Sequence, residues 1–285
     1  MNASTPPVLI LGMHRSGTSM VARLLSELGL FLGWHKDVNH EAWFFLRLNE
    51  WLLRQCGGSW DNPEPVRHLL ANPEGRRITA EYLRFVLASP RALQFLGPWR
   101  YLAQRNVATL AEPWGWKDPR TTYTAPLWLD LFPEARVIHV YRHGVDVAAS
   151  LQRRQKRSTD DADRRFRRRR PIHAVLPKRG GFTESWRCAD LDEALSLWSG
   201  YVSRARQVVA EHGDRALEVC YEDLLSAPQR ELRRIAVFCG LDVDGDALVR
   251  AAGRPRASRA LAYRADPGLC ELAERWAGEL RVHGY

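Results

Sequence analysis

The stretch that most constrains this chain is Val8–Ser19, which reads Val-Leu-Ile-Leu-Gly-Met-His-Arg-Ser-Gly-Thr-Ser. Val8–Leu11 is a short apolar run with the pattern of a buried strand. Gly12 to Gly17 reads as a tight loop. From Thr18 to Leu28 the apolar residues Met20, Val21, Leu24, Leu25 and Leu28 recur at helical spacing. A strand, a glycine loop and a helix in succession is how an α/β protein grips a phosphate. Backbone N–H groups of the loop and the positive end of the helix converge on one anion.

The nucleotide-triphosphate fingerprint is G-x-x-x-x-G-K-[ST]. Gly12 and Gly17 have its spacing, but Thr18 occupies the lysine slot and Ser19 follows. The loop can cradle an anion without the lysine that reaches the β and γ phosphates. Its positive charge comes earlier, at Arg15. That suits a phosphate-bearing donor other than ATP. The plain alternative is a glycine turn that only packs a helix on a sheet. The clustering of Arg15, Ser16, Thr18 and Ser19 speaks for an anion site.

Gly12-Met-His-Arg-Ser-Gly-Thr-Ser19 resembles the 5′-phosphosulfate loop of sulfotransferases that use 3′-phosphoadenosine 5′-phosphosulfate (PAPS), whose loops read (Lys/Arg)-Ser-Gly-Thr-(Thr/Ser). The resemblance implies that Arg15, Ser16, Gly17, Thr18 and Ser19 hold the donor. Three further segments carry it along the chain in the same order, from Val8 to about Gly240.

At 285 residues the chain can bury a large core, as one α/β domain or at most two. Hydrophobic content of 45% and charged content of 26% are those of a soluble globular protein. The net charge of +9 suggests an anionic ligand or partner. Nearly all of it is arginine, with lysine only at Lys36, Lys117, Lys156 and Lys178. Cys56, Cys188, Cys220, Cys239 and Cys270 show no metal spacing and no disulfide framework, which reads as reduced thiols in a cytosol-like compartment. The only N-terminal apolar run is the first strand, far short of the roughly 20 residues a membrane span needs. The expectation is a cytoplasmic protein without signal peptide or anchor, resembling the bacterial-type soluble enzymes rather than the membrane-anchored ones.

A hydroxyl acceptor must lose its proton as it attacks, so a base is needed. Helical spacing resumes from about Glu41 to Leu53, and Glu41-Ala-Trp-Phe-Phe45 resembles the Glu-x-His-Phe-Phe segment of glycan sulfotransferases. The resemblance implies Glu41 as the base, with Trp43 in place of the histidine; Asp37 and His40 are rivals. The alternative is that Glu41 only favours the helix dipole. Residues 57–75 read as loop, followed by helices near 77–87 and 91–104.

A short strand is expected to end near Lys117, because Pro119 breaks what precedes it. Ligand groups gather at such strand ends. Lys117-Asp-Pro-Arg120 resembles a segment in which the lysine contacts the transferring sulfonate. The resemblance implies that Lys117 neutralises charge developing in the transition state. A structural ion pair between Lys117 and Asp118 is the alternative.

Arg136–Tyr141 reads as a central parallel strand. Arg142-His-Gly-Val-Asp-Val-Ala-Ala-Ser150 follows and resembles the family's 3′-phosphate fingerprint, Arg-Asp-Pro-x-Asp-x-x-x-Ser. That implies a phosphate held by Arg142 and Ser150. His143 and Gly144 replace the usual Asp and Pro, and Asp146 is expected to cap the helix start. After a helix at 191–211 and a strand at 216–220, Tyr221-Glu-Asp-Leu resembles the segment whose tyrosine lies near the donor's adenine. Arg256 and Arg259 are weaker candidates for the 3′-phosphate.

Residues 153–170 are the most charged stretch, with an acidic break at Asp160, Asp161 and Asp163. Three readings compete: a solvated flexible loop, a lid that gathers an acidic acceptor or the donor, and a nucleic-acid surface, the last disfavoured because only one aromatic interrupts the run.

The expectation is a single domain over 1–285 with a flexible basic insertion at about 153–181. Its fold is α/β, a central mainly parallel sheet with helices on both faces, of the P-loop-like sulfotransferase type. The resemblance implies in-line transfer of a sulfonate from PAPS to an acceptor hydroxyl, with 3′-phosphoadenosine 5′-phosphate (PAP) as product and no metal required. Glu41, Arg15 and Lys117 would be catalytic. The acceptor is a glycan or a small molecule, one that suits a basic surface if it is anionic. A P-loop kinase or NTPase, and a non-catalytic polyanion binder, are the competing classes.

Overall fold

The computed structural model describes residues 4–255 and 257–285. The chain begins with β1 (Val8–Leu11), α1 (Thr18–Glu27), α2 (Trp43–Arg54), α3 (Val66–Leu70), α4 (Pro73–Leu87) and α5 (Leu93–Gln104). There follow β2 (Gly115–Lys117), α6 (Thr121–Leu131), β3 (Arg136–Tyr141), α7 (Gly144–His173) and α8 (Leu191–His212). It ends with β4 (Ala216–Cys220), α9 (Tyr221–Ser226), α10 (Pro228–Phe238), α11 (Gly245–Ala252), α12 (Pro267–Arg275) and α13 (Ala277–Val282). Two compact units are formed, Met1–Arg142 with Tyr201–Ala260, and His143–Gly200 with Leu261–Tyr285.

The first unit holds a four-stranded sheet in the order β2-β1-β3-β4, parallel throughout. β1 is apolar on both faces because both are covered. Leu9 and Leu11 enter one core with Phe45, Leu83, Phe95, Trp116 and Trp128, whereas Val8 and Ile10 enter another with Val21, Leu25, Leu232 and Leu248. Strand alternation thus sends successive residues of one strand to helices on opposite sides, the α/β architecture expected of the sequence. Because all four strands run the same way, their carboxyl ends share one edge. The segments leaving that edge begin at Gly12, Asp118, Arg142 and Tyr221.

Residues 57–75 are not all loop. Pro73 occupies the first turn of α4, and the Asn72 side chain caps it by accepting the Gly75 N–H at 2.8 Å. α5 breaks at Gly97, which has φ +72° and precedes Pro98.

The second unit contains α7, the first part of α8, α12 and α13. A Cβ on Gly144 would come within 2.7 Å of the Trp198 ring and 2.9 Å of Leu195, so glycine opens α7 where the related fingerprint has proline. Asp146 stands in the first turn of α7, and its carboxylate accepts the N–H of Ala262 (3.2 Å) and Tyr263 (2.8 Å), tying the C-terminal segment to α7. His143 stacks on Tyr263 at 4.3 Å between ring centres.

The basic run is not a loop through residue 173: it is the greater part of the 30-residue helix α7. Arginine, glutamine and lysine are good helix formers. The acidic break supplies helix-spaced partners, Asp161 to Arg164 and Asp163 to Arg167, the latter at 2.8 Å. Charge density suggests disorder only when like charges have nothing to pair with. Among the described residues no helix is long and apolar enough to cross a membrane.

Candidate functional site

The loop between β1 and α1 is built by close approach. A Cβ on Gly12, which has φ +134°, would lie 2.2 Å from the Val140 carbonyl, so the loop can lie against β3 only without a side chain there. The Gly12 N–H donates to Thr122 Oγ1 at 3.1 Å. Ser16 braces the loop from inside. Its buried hydroxyl lies 2.7 Å from Met13 O and 3.0 Å from Val140 O, and its N–H donates to Met13 O at 3.2 Å. Ser16, expected among the donor contacts, braces the loop through these bonds. Arg15 is exposed and held at φ +72°. Gly17, at φ +100°, is the N-cap of α1, followed by buried Thr18 and half-buried Ser19. The first N–H groups of a helix lack intrahelical acceptors and carry its positive partial charge.

Two other strand ends meet this loop through one aromatic ring. A Cβ on Gly17 would come 2.3 Å from Cδ2 of Tyr221, so the ring lies directly on the glycine. The Arg142 guanidinium stands 4.7 Å from the centre of the same ring, within cation–π range. It also donates to the Arg259 carbonyl at 2.8 Å. Arg259 thus meets Arg142 through its backbone carbonyl, and Arg256 lies outside the described residues. The predicted trio of loop, Arg142 and Tyr221 is thus gathered at one edge of the sheet. Ser150 lies in α7, half-buried, in the second unit.

At the end of β2 a second cluster forms. Lys117 Nζ donates to Glu41 Oε1 at 2.8 Å, and both side chains are buried, with 1% and 5% exposed. The Arg120 guanidinium lies 3.4 Å from Glu41 Oε2, 2.9 Å from Asp118 and 3.5 Å from Glu50. The ion pair of Lys117 is therefore with Glu41, 76 residues away, and not with Asp118. Burial raises the Glu41 pKa, with Lys117 and Arg120 pulling it back.

Glu41 lies two residues before α2 and is not in its first turn. The rival Asp37 has a different task. Its Oδ1 accepts the N–H of both Asn39 and Glu41 at 2.8 Å, fixing the turn that aims Glu41 inward. His40, also in positive φ, accepts from Arg23 at 3.3 Å, and burial and neighbouring cations lower its pKa. Trp43 begins α2, donates its N–H to the His35 carbonyl at 3.0 Å, and carries Arg47 over its ring at 5.3 Å.

Sequence reasoning assigned no role to Arg120 and missed Asn49. Asn49 is wholly buried; it donates to Asp118 Oδ2 (2.9 Å) and Thr121 Oγ1 (3.0 Å), and accepts from Thr124 Oγ1 (2.7 Å) and Trp128 Nε1 (2.8 Å). A buried amide with all its groups satisfied fixes α2 against α6 and so fixes what Glu41 and Asp118 face. The only signal was a polar residue on the apolar face of α2, where Leu48, Leu52 and Leu53 are also buried.

A sequence profile described as the Sulfotransferase family matches residues 6–245. No curated protein matches the chain. Among solved structures, the sulfotransferase domain from the curacin biosynthetic pathway superposes with a TM-score of 0.50 at 13% identity, covering 96% of this chain and 99% of that one. The sulfotransferase domain of the Synechococcus PCC 7002 olefin synthase gives 0.47 at 21% identity, covering 88% and 78%. A sulfotransferase from Alicyclobacillus acidocaldarius gives 0.47 at 18% identity, covering 97% and 93%.

Proposed function

This chain belongs to the sulfotransferase family, and on that premise we propose that it moves a sulfonate group from PAPS to an acceptor hydroxyl. The observation that carries the reading is the stacking of Arg142 on Tyr221 and of Tyr221 on Gly17. It joins two anion-binding elements and an aromatic surface on one edge of the sheet. A donor with a 5′-phosphosulfate, a 3′-phosphate and an adenine asks for those three things.

The residues present fit such a donor. Arg15 and the N–H groups from Gly17 to Ser19 would hold its 5′ end, and Arg142 its 3′-phosphate through a charge-assisted pair. Tyr221 offers its ring to the adenine. Ser150 is assigned by its motif position alone. When bound, the donor supplies an activated sulfonate with a good leaving group.

Glu41 takes the acceptor's proton. Burial raises its proton affinity, which suits a carboxylate acting as base near neutral pH. Lys117 supplies a fixed positive charge 2.8 Å from that base, and with Arg15 offsets negative charge that builds as the bond breaks. The acceptor is read as a glycan or small molecule.

The deciding experiment is a thermal-shift titration with PAP beside ATP with Mg²⁺. PAP at about 100 times its dissociation constant should add roughly 2.7 kcal/mol of stability. We expect that gain in the wild type and its loss in Arg142→Ala. Stabilisation by ATP–Mg²⁺ alone would replace this reading with a kinase, although Thr18 in the lysine slot speaks against one. Response to neither, with tight heparin binding, would favour a polyanion binder.

A further inference from the structure

The donor reading uses no residue of α7 beyond Ser150. The far half of that helix nonetheless carries an ordered stripe. Ala162, Arg165, Phe166, Arg169, Ile172 and His173 recur at spacings of three and four, and so share one face. The segment that follows folds back over this face through Leu176–Arg179 and Gly181. Together they enclose a cavity of about 460 Å³, within the range of small-molecule sites.

The cavity has two chemically distinct parts. Phe166, Ile172, Leu176 and Pro177 make an apolar wall. Ile172 and Leu176 remain 54% and 60% exposed, so apolar surface stands open to water there. Arg165, Arg169 and Arg179 supply the charge, and no carboxylate lines the cavity. On the other side of the helix, Arg164 and Arg167 are hydrogen-bonded to Asp161 and Asp163. Among the described residues, Arg165, Arg169 and Arg179 form no such bond, although the field of Asp161 reaches Arg165. Arg164 and Arg167, which have carboxylate partners, are not among the lining residues, whereas Arg165, Arg169 and Arg179 are.

Lys178 also lines the cavity, with its ammonium held by the returning segment. Its Nζ donates to the Gly180 (2.6 Å) and Gly181 (2.9 Å) carbonyls and stands 4.5 Å from the Phe182 ring centre, which fixes the returning segment. Phe182 meets Phe166 edge-on at 5.6 Å.

We propose that this cavity binds a small amphipathic anion, with its apolar body against Phe166, Ile172 and Leu176 and its carboxylate, phosphate or sulfate on Arg165 and Arg169. Apolar burial and charge pairing are both needed, because exposed guanidinium pairs alone contribute little. The size excludes a docked helix or strand. The inference does not depend on the donor reading, since binding is measured with no donor present.

The test is isothermal titration of the full chain with decanoate below its micelle concentration, beside decanol and inorganic sulfate. Decanoate should bind at least about tenfold more tightly than either half-ligand. Arg165→Ala/Arg169→Ala should weaken it by about tenfold or more. Alanine is the best helix former, so this variant keeps α7, which circular dichroism checks. Arg164→Ala/Arg167→Ala, on the compensated side, should leave decanoate binding unchanged. Decanol binding equally well, sulfate binding equally well, or equal loss in both double variants would each overturn the proposal. The first would reduce the cavity to an apolar surface, and the other two to unspecific positive charge.

Discussion

The ring of Tyr221 lies on Gly17 so closely that any side chain at Gly17 would penetrate it: the nearest ring carbon is 2.3 Å from where a Cβ would stand. A tyrosine that leaves the last strand of the sheet is thereby packed on a loop that leaves the second strand in its order. Gly17→Ala adds this collision to a backbone at φ +100°, and the backbone strain alone is worth about 1–2 kcal/mol. PAP binding is expected to weaken by more than about tenfold. In a Tyr221→Ala background the same substitution should do less harm, because only the backbone strain is left. A double-mutant cycle on unfolding free energy measures that coupling.

A ring and a carbonyl orient Arg142. Tyr221→Phe keeps the ring and should hold PAP affinity within a few-fold. Tyr221→Ala should lose about 1 kcal/mol or more of it, the scale of a cation–π contact. Calorimetric titration with PAP distinguishes the two. Equal losses would show that the hydroxyl, not the ring face, positions the site.

Lys117 and Glu41 form a buried pair, and a buried charge that loses its partner is costly. Lys117→Met should destabilise the fold by about 3–5 kcal/mol, reduced by whatever Arg120 recovers from 3.4 Å. It should also lower turnover at least about a hundredfold. Lys117→Met/Glu41→Gln should regain much of the stability in urea unfolding and none of the turnover. Recovery of both would remove the pair from the chemistry.

Burial raises the Glu41 pKa above its ordinary 4.5, so the folded protein keeps that proton to higher pH than the unfolded chain. The stability linked to it is complete below about pH 4.5 and is lost as pH rises through the raised native value. The difference in unfolding free energy between wild type and Glu41→Gln should therefore shift toward the variant as pH rises from 4.5. Urea titrations at a series of pH values read the slope directly. A shift of the opposite sign would mean that Lys117 and Arg120 outweigh burial.

Asp37 shapes the turn before Glu41 through two N–H acceptances at one oxygen. Asp37→Ala should reduce turnover about tenfold or more through misplacement of Glu41 and leave PAP affinity unchanged. Asp37→Asn keeps an acceptor oxygen and should recover part of the rate. Glu41→Gln should keep donor binding and lose transfer altogether. If Glu41→Gln turns over normally while Asp37→Asn does not, the base is Asp37.

The glycine loop between β1 and α1 was legible because its pattern is local. Glycines of fixed spacing, a strand before and a helix after lie within twelve consecutive residues, Val8 to Ser19. Arg142 and Tyr221 were legible for the same reason, each standing immediately after an apolar run that reads as a strand. Only the alternative reading of Lys117, an ion pair with Asp118, named the wrong partner. Asp118 is its neighbour in the chain, but a strand alternates its side chains, and Glu41 arrives from a turn 76 residues earlier. Of the three readings of the basic stretch, the flexible loop weighed charge without its spacing: Asp161 and Asp163 stand where Arg164 and Arg167 need them on a helix.

The sequence by itself determined the α/β class, the order of strands and helices around the glycine loop, and the residue types that stand at the strand ends. Those follow from period, turn chemistry and residues adjacent in the chain. Only the tertiary structure decided that Ser16 braces its own loop, that Asn49 holds α2 to α6, and that Tyr221 joins Gly17 to Arg142. It also decided which arginines of α7 face a hollow and which face their carboxylates. Hydrogen bonds and close approaches between distant segments depend on where strands end and which helix covers them, and no local pattern encodes that.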